Sequence, residues 1–457
     1  MAGRMPDGLI SLCASVGFER AAYYGMQSIL ALYLAETLLG PDSASGIWLL
    51  PLLARLSGTQ GVALASVVTG LFVSLAALAP VLGGVLADRV LGQHRAIIIG
   101  GVLMAAGHAL MVLPAALLPG LATIALGSGL FKGPAAARLS GLYAPDDDAR
   151  VEGFRLFYVA INLAGLLATL VIGTIGERAH WHAGFACACA SMVAGLAIYL
   201  ARFRAPSTDP ARQAHAADGE HRPAAGDPLA LGILAASIAL ITVANAQITN
   251  AYLLWVDQGF MLSISGWRFP SSWMIAADGL LGLVALTASG LFWRHQDRTH
   301  GPVSAATKSL TGGFFVAAGA ACLAIAALLH GRTGVPVYWG LAFQLLNSLG
   351  LANVLPAAMA MFGRSASRDH AATTMAGFYL ALFAGGIVTT VLASRFTTLP
   401  ITTFWTIHAA CAAAGAAGLA ALWLRGHPMM RSTPAIMPIQ KGGKWWTHLG
   451  SNQGPAD

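Results

Sequence analysis

Four ionisable side chains stand inside long apolar stretches of the chain: Glu19, Arg20, Lys132 and Asp278. A charge in hydrocarbon is expensive, so such residues pair with one another, face a wet cavity, or help move an ion or solute. The types present suit the last task. A carboxylate such as Glu19 can take a proton on one side of a membrane and release it on the other, with Arg20 and Lys132 setting its affinity. Glu19, Arg20, Tyr23, Tyr24 and Gln27 recur at spacings of three and four, so a helix carries them as one polar stripe. Ser128 lies one turn before Lys132, and Tyr158 and Asn162 are one turn apart. Further along come Gln247 and Asn250, then Asp278, then Gln344 and Asn347. These positions are expected to converge on a central cavity. For any one Asn or Gln, an ordinary interhelical hydrogen bond is an equal reading. Snorkelling from a helix end explains Arg155 and Asp257; it does not explain Glu19, Arg20 or Lys132, which lie well inside their segments.

Other chemistries are poorly represented. There is no HExxH, no Ser/His/Asp order and no pair of carboxylates at working spacing, so an enzyme is the least favoured class. His108 and His408 each stand alone in an apolar stretch and read as structural. The five cysteines, Cys13, Cys187, Cys189, Cys322 and Cys411, fit neither a zinc site nor a disulfide framework. No metal or cofactor is expected.

The elements that position these residues follow from composition. Apolar residues make up 56% of the 457 and charged residues 10%, against roughly 25% charged in an average soluble domain. A spanning helix needs roughly 20 mostly apolar residues. Twelve such segments are predicted, at 9–38, 61–86, 95–115, 119–143, 154–177, 183–203, 229–253, 272–293, 306–329, 335–362, 370–394 and 403–424. The first is too long for a signal core and carries Glu19 and Arg20 in its middle. The expected class is an all-α membrane protein of two six-helix halves. Residues 1–203 form the first bundle and 228–425 the second, joined by a polar linker over 204–227; a tail over 426–457 is expected to be disordered. With both termini cytoplasmic, nineteen basic residues fall on the cytoplasmic side and five on the other. That asymmetry is the positive-inside pattern, and it accounts for the net charge of +7 without nucleic acid as a partner. The lipid bilayer is the expected partner, and a multi-pass protein of the inner (plasma) membrane the expected location.

Four short segments resemble the proton-dependent oligopeptide transporters of the major facilitator superfamily. FERAAYYGMQSIL, 18–30, resembles the first-helix motif E-x-x-E-R followed by Y-Y-G-M-R. GGVLADRVLGQHR, 83–95, is similar to the loop between helices two and three, where the resemblance implies that Asp88 and Arg89 act as a gating latch. GLFKGP, 129–134, resembles the fourth-helix lysine motif, and GFRLFYVAINLAG, 153–165, the fifth-helix F-Y-x-x-I-N-x-G. The resemblance implies a twelve-helix major facilitator fold and proton-driven uptake of short peptides by alternating access. It implies proton coupling through Glu19, Arg20 and Lys132, and cargo binding by Tyr23, Tyr24, Gln27, Lys132, Tyr158, Asn162, Gln247 and Asp278. Departures stand beside these matches. The first glutamate of E-x-x-E-R falls on Val16 and the arginine after Y-Y-G-M on Gln27. The seventh- and tenth-helix glutamates fall on Ala246 and Leu351, and the eighth-helix asparagine on Asp278. Gln27 and Ala246 replace two charges that pair in the family; losing both avoids stranding either one. Glu19, Arg20 and Lys132 sum to one positive charge, which Asp278 balances, so a zwitterion bridging Lys132 and Asp278 is one expectation. Another solute, zwitterionic or anionic, an exporter or uniporter, and a ligand sensor that moves nothing are the alternatives. The topology is testable by labelling: cysteines introduced between Arg204 and Asp227 should react with an impermeant reagent only from the cytoplasmic side, and reaction from outside would overturn it.

Overall fold

The protein is represented by a computed structural model, which describes residues 6–38, 46–143, 149–203, 227–301, 303–364 and 371–425. The expected linker (apart from Asp227) and tail lie outside these residues. The first half contains α1 (Leu9–Thr37), the short α2 (Leu50–Ser57), α3 (Gly61–Leu86), α4 (Gln93–Met111), α5 (Leu117–Ser140), α6 (Ala149–Arg178) and α7 (Trp181–Arg202). The second contains α8 (Pro228–Ala246), α9 (Ala251–Gly259), α10 (Trp273–Thr299), α11 (Ala305–His330), α12 (Val337–Arg364), α13 (Ala371–Ala393) and α14 (Ile401–Leu424). Among the described residues, eleven segments are long and apolar enough to cross a membrane, α8 and α9 counting as one. The 29-residue α1 is the twelfth long helix, and Glu19, Arg20 and Gln27 lower its mean hydropathy. This is the all-α membrane architecture of two six-helix halves expected from the sequence.

Local chemistry sets the helix ends. The Asp227 side chain accepts from Leu229 N at 2.9 Å, with Pro228 at the first helical position of α8. Ser304 caps α11 through Thr307 N at 3.1 Å, and Gly331, at φ 69°, closes it. Ser265 and Gly266, both at positive φ, turn the hairpin of β1 (Ser263–Ile264) and β2 (Trp267–Arg268). Two differences from the expected spans matter. Residues 87–91 continue α3 as a π-helical turn, which leaves Asp88 and Arg89 exposed and, among the described residues, outside any ion pair. The seventh span is also not continuous, because it breaks between Ala246 and Ala251.

The halves are built alike. In the first, α4 crosses α5, and in the second, α11 crosses α12. A Cβ on Gly127 would lie 2.6 Å from the Gly100 carbonyl oxygen, and one on Gly350 would lie 2.7 Å from that of Gly312. Lipid offers no hydrophobic drive between helices, so close backbone approach at small residues carries the packing. Proline interrupts both α5 (Pro134) and α12 (Pro356). The main packing between halves runs α3 on α13, α6 on α10 and α1 on α9. Its contacts, Gly70 with Thr390, Ser74 with Gly386 and Gly173 with Ser272, gather toward the end where α1 finishes and α3 begins. That end is sealed. Gly127→Ala should therefore destabilise the protein by about 1–3 kcal/mol through overpacking. Gly232→Ala, whose Cβ would meet nothing within 4 Å, should not; thermal unfolding in detergent measures both.

Candidate functional site

A cavity of about 440 Å³ lies between the halves. Tyr24 and Gln27 of α1, Ser74 of α3, and Asn162 and Thr169 of α6 form one wall. Thr242, Asn245 and Ala246 of α8, Thr249 beyond them, Asp278 of α10 and Leu351 of α12 form the other. Among the described residues its lining holds one carboxylate, Asp278, and no lysine or arginine. Asp278 Oδ1 is buried without a hydrogen-bond partner, and the Ser348 hydroxyl is its neighbour. A buried acceptor left open in this way calls for a donor, whether a proton, water or a cargo amine.

The broken seventh span supplies much of the second wall. Asn245, Ala246, Ile248 and Thr249 all line the cavity, and Thr249 Oγ1 accepts from Gln27 Nε2 across the two halves at 3.3 Å. Irregular backbone at membrane depth is tolerated where it lines a cavity and its polar groups are met by protein. Gln247 meets them. Its Oε1 accepts from Ala251 N at 3.3 Å, and its Nε2 reaches Thr389 O at 3.2 Å and His408 Nε2 at 2.9 Å. Asn250 Nδ2 donates to Ser66 O at 3.0 Å, tying the break to α3.

Beside the cavity, toward the start of α1, sits an ionic cluster. The Arg20 guanidinium engages both carboxylate oxygens of Glu19, and the two residues are 6% and 0% exposed. Arg20 also lies over the rings of Tyr23 and Tyr24, at 5.2 and 5.7 Å. Lys132 Nζ sits 4.4 Å from the centroid of Tyr23. Tyr23 is thus flanked by two cations whose charge its π-face tempers, and Tyr24 joins the cluster to the cavity.

The structure therefore brings Tyr24, Gln27, Asn162 and Asp278 to one cavity and Glu19, Arg20, Tyr23 and Lys132 to an adjoining cluster. It does not bring Lys132 and Asp278 to a common wall, so the bridging zwitterion finds no support: Lys132 is turned onto Tyr23 and is absent from the lining. Gln247, expected to bind cargo, is fully buried in the second half and spent on the helix break. Tyr158 is 60% exposed and outside the cavity lining, although its carbonyl accepts from Asn162 Nδ2 at 2.7 Å. Sequence reasoning missed Asn245 and Thr249. A signal was available, since Asn245, Gln247, Thr249 and Asn250 crowd polar groups into one short stretch of an apolar span.

Comparison with known proteins agrees with this geometry. The sequence model of the POT family (PTR2) matches residues 94–210. The di-/tripeptide transporter of Lactococcus lactis subsp. cremoris is 34% identical over 197 residues, covering 42% of this chain and 37% of that one. The peptide transporter YePEPT of Yersinia enterocolitica is 35% identical over 199 residues, covering 42% and 36%. These matches span little more than a third of the relatives' length. The fold reaches further. A crystal structure of the peptide transporter POT in complex with sulfate superposes with a TM-score of 0.79 over 93% of this chain and 96% of that one, at 23% identity. A POT family transporter in complex with 5-aminolevulinic acid superposes at 0.75 over 93% and 97%, at 18% identity. Over residues 94–210 the chain resembles the POT family in sequence, and over nearly its whole length it shares the fold of these transporters.

Within the POT family pattern, four of the departures named above fall together. Gln27, Ala246, Leu351 and Asp278 all line the same cavity, and Val16 is buried in α1. Gln27 lines one wall and Ala246 the other. Gln247→Ala should lower thermal stability by about 1–3 kcal/mol by orphaning buried donors and acceptors. Cargo affinity should stay unchanged; a binding titration beside a melting curve separates the two.

Proposed function

We propose that this chain is a proton-coupled carrier of short peptides that works by alternating access between its two halves, and neither an enzyme nor a passive sensor. The observation that carries this reading is the cavity itself. It lies between the two halves, among the described residues it holds a single unpartnered carboxylate oxygen, and a buried carboxylate–guanidinium–ammonium cluster adjoins it. The relatives named as di-/tripeptide transporters point to the same cargo class. The basic asymmetry favours cytoplasmic termini; in that orientation the end where the halves meet lies outside, and the carrier faces inward in the plasma membrane.

Glu19 is the proton carrier in this scheme. As a carboxylate it holds Arg20; on protonation it releases part of that hold, and Arg20 is free to respond to cargo through Tyr24. Lys132 supports the cluster electrostatically. Asp278 receives the cargo's amino group. A cavity with a carboxylate and no cation counts against an anionic solute as the main cargo, since a buried negative charge beside another would have no compensation.

Reconstituted vesicles test these roles. Labelled di- and tripeptides should accumulate under an imposed inward proton gradient. Glu19→Gln should abolish accumulation while exchange of cargo across the membrane survives. Asp278→Asn should weaken peptides with a free amino terminus by about tenfold to a hundredfold, the worth of a charge-assisted hydrogen bond, and leave N-acetylated peptides unaffected. Binding without flux would make the protein a sensor. Unchanged accumulation in Glu19→Gln would place coupling elsewhere.

A further inference from the structure

The second half holds a groove that the carrier reading leaves unused. α10 and α11 follow each other in sequence but are scarcely in contact; each packs instead on α12. A pocket of about 590 Å³ lies between the three. Its deep part is apolar, lined by Leu286 and Gly290 of α10 and by Ala352, Pro356 and Ala357 of α12. Its rim, at the end of α10 and the start of α11, carries Arg294, Asp297 and Lys308. Leu286 and Asp297 are eleven residues apart, roughly 16 Å along a helix, so the groove runs from bilayer depth to the membrane surface. Leu286 is 50% exposed, and Phe292 of α10 and Phe314 of α11 are 58% and 68% exposed. The groove thus opens among side chains that face lipid.

The rim is arranged for an anion. Asn353 fixes Trp293: its Oδ1 accepts from the indole Nε1 and from Ser289 Oγ at 2.7 Å, and its Nδ2 donates to Leu349 O at 2.7 Å. The indole face then meets Lys308 Nζ, 5.3 Å from the ring centroid. Asp297 lies 3.6 Å from Lys308 and accepts from Val303 N at 3.0 Å, so it shapes the connection between the helices as well as pairing. A partly exposed pair at that distance is worth little, which leaves Lys308 able to turn to a stronger acceptor. Arg294 has, among the described residues, no ion pair. Its guanidinium lies back toward Gly290, where a Cβ would sit 3.9 Å from Nη2. Arg294 and Lys308 against Asp297 leave the rim one net positive charge. α11 starts at the rim, capped by Ser304, and the positive end of its dipole adds to the same field.

We propose that this groove is a binding site for an anionic phospholipid, whose phosphate is held by Arg294 and Lys308 and whose acyl chain lies in the slot between α10 and α12. Charge and shape both argue for that occupant. A guanidinium and an ammonium side by side suit phosphate oxygens. An apolar slot continuous with the lipid-facing surface suits a hydrocarbon chain and offers a free phosphate nothing to bind. Basic pockets between spanning helices at the membrane surface take anionic headgroups in this way. In the orientation favoured by the basic asymmetry, the rim lies in the cytoplasmic leaflet. The site goes beyond the carrier reading and does not rest on it, because its lining belongs wholly to the second half and shares no residue with the central cavity.

Native mass spectrometry of the full chain in detergent, titrated with dioctanoyl phosphatidylglycerol, tests the site. One molecule should bind saturably, and dioctanoyl phosphatidylcholine should bind about tenfold more weakly or less. Arg294→Gln combined with Lys308→Gln should weaken the phosphatidylglycerol complex by about tenfold or more. Arg202→Gln, an equal loss of charge at an exposed position in the other half, should change nothing. Asp297→Asn keeps an acceptor for Val303 N but frees Lys308, so it should tighten binding several-fold. Gly290→Leu fills the slot without touching backbone and should abolish binding. Equal affinity for the two lipids would overturn the proposal, as would wild-type binding by Gly290→Leu or by the double variant, or weaker binding by Asp297→Asn. Displacement of the lipid by inorganic phosphate alone would make this a phosphate site and overturn it too. Dipeptide binding by the same variants, measured separately, should match the wild type; its absence from every protein, wild type included, would sink the carrier reading and leave the lipid site standing.

Discussion

An ionised group inside a bilayer must be met by an opposite charge, a dipole or a wet cavity, and the whole arrangement of this protein follows from how each is met. Glu19 is satisfied by its sequence neighbour Arg20, and the residual positive charge of Arg20 and Lys132 is spread over the rings of Tyr23 and Tyr24. Asp278 lines the cavity, and Glu177 is met by the amides of Ser271 and Ser272, just before α10. Of these groups, Asp278 keeps an open acceptor, Oδ1. An apolar protein whose buried charges were all satisfied internally would have no reason to change shape when a ligand arrived.

The scaffold around these charges is two stiff bundles with a small common surface. Glycine crossings at Gly100/Gly127 and Gly312/Gly350 bring α4 onto α5 and α11 onto α12 at backbone contact, which stiffens each half. Between halves the contacts concentrate at one end, where the carboxylate of Glu177 and the side chains around Ser271 and Ser272 hold α6 to α10. Stiff units joined by a few polar contacts have discrete arrangements rather than a continuum. The break in the seventh span belongs to this design. It gives the second half a polar, non-helical surface where the first half presents Gln27, and Gln247 holds it open from behind.

Divergence from the family pattern has a physical order to it. The positions where the sequence departs from the resembled motifs, Gln27, Ala246, Leu351 and Asp278, line a single cavity. A lone charge lost from a buried pair would strand its partner at several kcal/mol, so departures at Gln27 and Ala246 are expected together. Among the described residues the site has one acidic group, Asp278, and a largely apolar wall.

The sequence by itself determined the membrane class, the twelve long helices, the two-half plan and the polar stripe of α1. Those rest on local quantities, namely segment length, hydropathy and the helical spacing of three and four, which do not depend on what a segment packs against. It also marked Glu19, Arg20, Lys132 and Asp278 as the costly residues. Which of the polar residues meet was decided only by tertiary structure. Gln247 and Asn245 are two positions apart and equally plausible as cavity residues, yet one supports a helix break and the other faces the cavity. Lys132 and Asp278 lie in different halves, and their separation depends on how the bundles dock. The partners of Glu177 were not legible locally, because nothing in its own segment says that Ser271 and Ser272, ninety-four and ninety-five residues later, would present their amides to it. Hydropathy is written along one chain, whereas the partners of a buried charge are chosen across the space between helices.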